Sequence, residues 1–389
     1  MEGIFICDTS TTLSVTLLPR TMASSKNSSA QKIVAEGLTF DDVLLLPNEA
    51  TFAREEANLT TMLHPKITLK LPIISSPMDT VTESVMATAI AEAGGLGIIH
   101  RNLKIEKQVQ MVKDVKKQKL LVGAAVGAGA DLSDRVKALI AAGADLLVVD
   151  SGHGHSKYII DAVKQIKKVH KGTVVMAGNV ATFEGAKALI KAGADILRVG
   201  VGPGSICTTR VITGMGVPQI TALMEVARAC KGGKVTFVAD GGIRQMGDMA
   251  KALATGASAV MLGSMLAGYS QSPGEETDIK GKRFKQYRGM GSVGAMQKGG
   301  AERYGQSMNT DAKKLIAEGV EGLVPFKGNV TDFLYQAAGS LRSSFYYLGS
   351  KTIKEFHSKS RFIRITQASL QESHPHTVQI VDSGGNYHL

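Results

Sequence analysis

Residues 200–209 read GVGPGSICTT and place one cysteine, Cys207, at the end of a glycine-rich loop that follows the apolar run Ile196-Leu197-Arg198-Val199. A thiolate there is suited to attack an electrophilic carbon, while the glycines leave backbone N–H and C=O groups free to face a ligand or an ion. The pattern points to covalent catalysis. The competing reading is an ordinary turn that carries a small, packed thiol. Two further signatures, Asp240-Gly241-Gly242 and Gly263-Ser264, each end an apolar run. Their N–H groups and the Ser264 hydroxyl have the makings of a phosphate cradle. Asp240 is itself an anion and would repel a phosphate, so its expected partner is a ribose diol. Together these features imply a nucleoside monophosphate.

Such residues must be positioned by a frame, and the frame is legible. From residue 71 onward, short apolar runs alternate with amphipathic helical stretches, the pattern of parallel βαβ units. Residues 71–75, 96–100, 122–127, 146–151, 173–179, 196–200, 235–241 and 259–263 predict eight strands. That fold class is α/β, a closed (β/α)8 TIM barrel. An internal echo supports it: Ala142-Gly143-Ala144-Asp145, Ala192-Gly193-Ala194-Asp195 and Thr255-Gly256-Ala257-Ser258 each sit between a helix and the next strand. Glycine-bearing turns of that kind belong to the bottom of a barrel, whereas the polar signatures fall at the opposite strand ends, where barrel enzymes carry their chemistry. More than sixty residues separate the eighth strand from a last helix expected near residue 331. An interval of this length is expected to be a lid, spanning about residues 270–328, or a disordered segment, and its place above the strand ends favours the lid. Residues 1–36 read as a flexible N-terminal tail, which leaves 37–389 as the catalytic domain.

Composition narrows the function. Three cysteines, Cys7, Cys207 and Cys230, are too few and too scattered for a disulfide framework or a zinc site, so a reducing, cytoplasmic setting is expected. The formal charge of +11 comes from lysines spread over helix-like stretches such as 113–119 and 164–171, and the chain has no tryptophan. Solvated helix faces and anion steering fit this better than a nucleic-acid groove. No apolar run approaches the roughly 18 residues of a membrane span.

The strings SSPMDTVTE (residues 75–83), AGNVAT (177–182), GVGPGSICTTR (200–210), DGGIR (240–244), YRGMGS (287–292) and ERYGQ (302–306) resemble the inosine-5′-monophosphate dehydrogenase family. The resemblance runs from about residue 37 to the C-terminus. It implies an oxidoreductase that converts IMP and NAD+ to XMP and NADH, with Cys207 as the nucleophile that adds to the purine C2. It also implies IMP contacts at Ser76, Met78, Asn179, Gly204, Ser205, Asp240, Gly242, Gly263, Ser264, Tyr287, Gly289, Met290 and Gly291, with Ser205, Gly242, Gly263, Ser264 and Tyr287 around the phosphate and Glu318 facing the purine. Asp150 matches the position that holds the nicotinamide ribose, with Gly200 and Gly202 also on the NAD side. Arg303 and Tyr304 match a mobile flap pair that enters the vacated dinucleotide site and promotes hydrolysis, with Thr209 orienting the water. Gly202, Gly204 and Cys207 would give carbonyls to K+, joined by Asp382, Ser383 and Gly384 from a neighbouring subunit of a homotetramer.

One departure from the family is plain. A pair of cystathionine-β-synthase-type modules is usual after the second helix, yet here residues 112–119 lead straight into the third strand. Two rival readings are a GMP reductase, which shares the barrel, the CTTR loop and the lack of that insertion, and a non-catalytic nucleic-acid-binding barrel. The ERYGQ segment argues against the first, and intact Cys207, Thr209, Asp240 and Arg303 argue against the second.

Overall fold

Eight parallel strands close on themselves in the computed structural model: β1 (Ile73–Ser75), β2 (Leu96–Ile99), β3 (Val122–Val126), β4 (Leu146–Asp150), β5 (Val175–Val180), β6 (Ile196–Val199), β7 (Thr236–Asp240) and β8 (Ala259–Leu262). Each overlaps one of the eight apolar runs. Closure is made by β8 against β1, with Val260 beside Ile73 and Leu262 beside Ser75. Parallel strands packed on both faces need apolar residues at nearly every position, which is why these segments are continuous runs rather than alternating ones. The structure describes residues 32–307, 311–382, 384 and 387. Residues 37–389 form one compact unit, and most of the expected tail, residues 1–31, lies outside the described residues.

The outer layer consists of α1 (Ser84–Glu92), α2 (Ile105–Lys117), α3 (Leu132–Ala141), α4 (Lys157–Val169), α5 (Phe183–Ala192), α6 (Gln219–Cys230), α7 (Met246–Ala254) and α8 (Val330–Tyr347). Their apolar stripes, among them Val112, Val163, Leu189, Leu223, Leu253 and Leu341, pack on the strands. The repeated Ala-Gly-Ala-Asp corners have a physical cause. Gly193 ends α5 in the left-handed region, at φ 101°, a conformation that costs glycine nothing. Two residues on, Asp195 accepts the Val175 amide at 2.8 Å and pairs with Lys167 at 2.8 Å. Asp145 does the same for Val122, at 2.9 Å, and Lys116, at 2.8 Å. Each aspartate therefore ties a helix to the start of a neighbouring strand.

Two features were not foreseen in the sequence. A hairpin of Thr61–His64 and Ile67–Leu69 inserts Leu63, Ile67 and Leu69 among the interior residues Ile74, Ile98, Val148, Met176, Val238 and Met261. The bottom of the barrel is thereby plugged, and the Thr236 hydroxyl donates to the Leu63 carbonyl at 2.6 Å. The long interval before α8 is also not a structureless loop. Strands Glu276–Ile279, Lys282–Arg288 and Glu321–Pro325 form an antiparallel sheet at its base, turned at Lys280 and Gly281, both at positive φ. Between Arg288 and Glu321 the chain crosses the strand ends in short helical turns. Only four residues separate α2 from β3. Among the described residues, no helix is long and apolar enough to cross a membrane.

Candidate active site

The C-terminal end of β6 leads into the cysteine loop, and the loop is glycine-rich because it passes close to β7. A Cβ on Gly200, which sits at φ 147°, would lie 2.1 Å from the Asp240 carbonyl oxygen. The loop then turns so that the Cys207 amide donates to the Gly204 carbonyl at 3.1 Å and enters the short helix Thr209–Thr213. Cys207 is half-buried. Its thiol donates to Thr209 Oγ1 at 3.2 Å, and that hydroxyl donates to Glu318 Oε2 at 2.8 Å. A thiol, a hydroxyl and a carboxylate thus form a relay along which a proton can be handed from sulfur. The backbone fixes the same arrangement: Thr208 N–H donates to the Glu318 carbonyl at 3.0 Å, and Glu318 N–H donates to the Gly291 carbonyl at 2.9 Å.

Beside the thiol lies a cleft. It is lined by Ser76, Met78, Asn179, Gly200, Gly202, Gly204, Ser205, Cys207, Thr209, Asp240, Gly242, Gly263, Ser264, Tyr287, Gly289, Met290, Arg303, Tyr304 and Glu318. These residues come from separate strand ends and from the segment between β8 and α8. Gly291 stands behind the wall, where a Cβ would meet the Tyr304 ring at 2.7 Å. At the opposite end, burial pushes the Tyr287 hydroxyl up to about 12, with the Ser205 and Ser264 hydroxyls as its hydrogen-bond partners. It therefore stays a neutral group among donors suited to phosphate. Gly263 keeps that corner open, since a Cβ there would lie 3.2 Å from the Tyr287 oxygen and 3.2 Å from the Met78 sulfur.

Asp240, Arg198 and Arg303 form the floor, and Asp150 is buried behind them without lining the cleft. Asp150, at the end of β4, is 2% exposed and pairs with both Arg198 and Arg303. Burial alone would raise its carboxyl, but Arg303, Arg198 and Arg101 together hold it below the usual carboxylate range. Burial would lower the Arg303 guanidinium, and Asp150 outweighs that, raising it above its ordinary value. Asp240, at the end of β7, accepts from Arg198 Nε at 2.8 Å and from Asn179 Nδ2 at 2.7 Å, both on Oδ2. Oδ1 takes neither of these bonds.

Arg303 and Tyr304 reach this floor from the crossing segment. The Arg303 carbonyl accepts the Gly152 amide at 2.9 Å, and Glu302 faces Arg101 at 3.6 Å. A second, larger cleft adjoins the first and shares Gly152, Val201, Thr209, Arg303, Tyr304 and Glu318 with it. The Arg-Tyr pair is therefore part of the wall between two clefts.

The proposed tail ligands are not brought to this site by anything in the chain described. Asp382 and Gly384 are exposed, with the Gly384 amide donating to Asp382 Oδ1 at 2.9 Å, and Ser383 lies outside the described residues. Among the described residues, no group of three or more His, Cys, Asp or Glu side chains is placed to hold a metal.

Sequence reasoning missed several residues that build the site. Arg198 was passed over within an apolar run, although a lone arginine in a barrel strand was itself a signal, because a buried charge needs partners. Gln219 bridges the Val199 and Asp240 carbonyls at 2.9 and 3.0 Å. Arg288 grips Asp79 at 2.6 Å, and Asn102 donates to the same carboxylate at 3.1 Å, which ties the lid sheet to the loop after β1.

A (β/α)8 barrel with a cysteine-bearing loop and a cleft beside it at its C-terminal face defines a class of barrel enzymes. The chain belongs to the IMP dehydrogenase / GMP reductase family, whose domain description matches residues 37–376. Membership makes it an oxidoreductase of nucleotide metabolism. It is 44% identical over 397 positions to the inosine-5′-monophosphate dehydrogenase of Borreliella burgdorferi, covering 89% of this chain and 98% of that one. The enzyme of the same name from Cryptosporidium parvum is 44% identical over 399 positions, covering 92% and 99%. That of Aquifex aeolicus is 39% identical over 486 positions, covering 92% and 99%. An alignment of 486 positions exceeds the 389 residues here, so that relative carries residues with no counterpart in this chain.

Proposed function

We propose that the chain is an IMP dehydrogenase that oxidises inosine 5′-monophosphate to xanthosine 5′-monophosphate, with NAD+ as the second substrate, in cytoplasmic guanine nucleotide synthesis. The observation that supports this most is the seating of Arg303 and Tyr304 between the two clefts, beside the Cys207, Thr209 and Glu318 relay. A hydrolytic element at that point has work to do in a dehydrogenase and none in a reductase.

Cys207 adds through sulfur to C2 of the purine while the thiol proton is passed toward Thr209. C2 then loses its hydrogen with both bonding electrons, leaving a thioimidate on Cys207. NAD+, when bound, supplies the acceptor for that hydride. Water then attacks C2, the C2–Sγ bond breaks with its electrons returning to sulfur, and XMP leaves. Net, IMP, NAD+ and water give XMP, NADH and a proton. The neutral Tyr287, Ser205 and Ser264 hydroxyls hold the phosphate, and Asp240 Oδ1 accepts from the ribose.

The residues present fit a dinucleotide. Asp150 offers acceptor oxygens, and the larger cleft has the volume for the remainder. Arg303 and a ribose diol would use the same carboxylate, so the lid and the dinucleotide exclude one another. Asp150 also keeps Arg303 protonated. The guanidinium in this seat orients water and stabilises negative charge; service as a base requires release from Asp150.

A monovalent cation fits the cysteine loop. Gly202 is at φ 78°, where a Cβ would strike the Arg210 side chain at 2.6 Å. The carbonyls of Gly202, Gly204 and Cys207 lie on one tight turn, and hard oxygens suit K+. Asp382, Ser383 and Gly384 of a neighbouring copy would complete it, in a homotetramer. The test is NADH absorbance with IMP, NAD+ and K+. Ammonia release from GMP with NADPH, and no NADH from IMP, would replace this reading with the reductase.

A further inference from the structure

Arg198 lies one residue before the end of β6, where it lines the cleft yet is only 2% exposed. Its neighbours make room for it: a Cβ on Gly178 of β5 would fall 2.4 Å from the Arg198 carbonyl oxygen and 2.7 Å from its Cβ. The guanidinium serves two carboxylates at once. Nε donates to Asp240 Oδ2 at 2.8 Å, Nη1 bonds Asp150 Oδ1, and Nη2 approaches the Ser76 hydroxyl at 3.5 Å. One rigid, planar group therefore spans the carboxylate on the nucleotide side and the carboxylate on the dinucleotide side. A packed apolar side chain would serve stability as well or better than a buried ion cluster.

We propose that Arg198 is the positioning residue that sets the separation of the two bound substrates. It fixes Asp240 and Asp150 to a single plane, so the ribose on each is held at a constant distance from the other and the purine C2 faces its hydride acceptor. It also keeps Asp150 ionised in the state in which Arg303 has withdrawn. Arg303 comes and goes with the lid, whereas Arg198 is part of the barrel. The inference rests on the functional reading above, which assigns the two carboxylates to the two riboses.

The test compares wild type with Arg198→Lys, which keeps the charge and loses the fork, using IMP and IMP deuterated at C2. In wild type, turnover is expected to be limited by hydrolysis and to show no isotope effect. In Arg198→Lys the first-turnover burst of NADH slows by roughly 10- to 100-fold, the scale of loss for a small misplacement of reacting groups. The Michaelis constants for both substrates rise, and a primary isotope effect appears on turnover. A residue that merely supported the fold would lower the active fraction without moving the isotope effect. Arg198→Met is expected to be more severe, and if circular dichroism shows it unfolded, the lysine variant decides. A lysine variant with a wild-type burst and no isotope effect overturns the proposal while the functional reading stands. A wild type that makes no NADH from IMP overturns both.

Discussion

Arg303 and Asp150 form an ion pair sealed into the C-terminal face of the barrel, with side chains 10% and 1% exposed. One partner belongs to the barrel and the other to the segment that crosses it. The pair is an electrostatic contact between the crossing segment and the barrel, and on the proposed function it occupies the carboxylate assigned to the dinucleotide ribose. Removing the guanidinium should therefore separate two halves of the reaction. Arg303→Ala is expected to leave the pre-steady-state burst of NADH nearly unchanged and to lower steady-state turnover by roughly two or more powers of ten, as for a positioned acid–base group. The Cys207 adduct should accumulate. Equal loss of burst and turnover, read by rapid mixing, would place Arg303 in binding instead.

Cys207→Ala should abolish turnover and leave IMP affinity largely intact, because the phosphate and ribose contacts do not involve sulfur. Mass spectrometry of the quenched wild type should find the nucleotide on Cys207. Cys230 is a poor competitor, since burial pushes its thiol up to about 11 and leaves little thiolate at neutral pH. A nucleotide on Cys230 would contradict the assignment.

Gly291→Ala offers a test of Tyr304 that leaves the tyrosine in place. The new methyl would lie 2.7 Å from ring Cζ, 2.9 Å from the hydroxyl oxygen and 3.0 Å from the Glu318 carbonyl carbon, so the ring, the more movable of the two neighbours, must leave its seat. Hydrolysis should slow by about tenfold or more, on the low side of the loss of a catalytic group, while the burst persists. Crystals of the variant that show Tyr304 unmoved would refute the steric argument.

Acid stability should depend on the Asp79–Arg288 pair. Burial alone would raise the Asp79 carboxyl, but the hydrogen bonds and charge of Arg288, with Asn102, hold it below its ordinary value. A folded value below the unfolded one means a stabilising contribution that is complete above about pH 4 and lost as pH falls through the depressed folded value. Arg288→Ala should cost about 3 kcal/mol near neutral pH by leaving a buried carboxylate unpaired. Urea unfolding across pH should show Asp79→Asn with a shallower acid limb than wild type, and an unchanged limb would remove Asp79 from the account.

Potassium should activate the enzyme by gathering the carbonyls of Gly202, Gly204 and Cys207, which otherwise repel one another, and lithium should substitute poorly because its ion is smaller. Equal initial rates in potassium and in potassium-free buffer would exclude the cation site.

The eight strands, the glycine corners and the cysteine loop were legible in the chain because each depends on residues close together in sequence. Apolar runs become buried parallel strands, glycines take the left-handed corners, and Gly200 marks a loop that must pass β7. The carboxylate floor was not legible in the same way. Asp150, Arg198 and Asp240 are 48 and 42 residues apart, and only barrel closure brings one guanidinium between the two acids. The plug of Leu63, Ile67 and Leu69 and the sheet under the lid depend on equally distant partners. Spacing along the chain thus pointed to the cysteine loop and to the glycine-bearing strand ends that line the cleft. The meeting of buried charges, which sets what Asp150 binds and whether Arg303 keeps its proton, was decided by tertiary contact alone, because burial and neighbouring charge are properties of the fold and not of any segment.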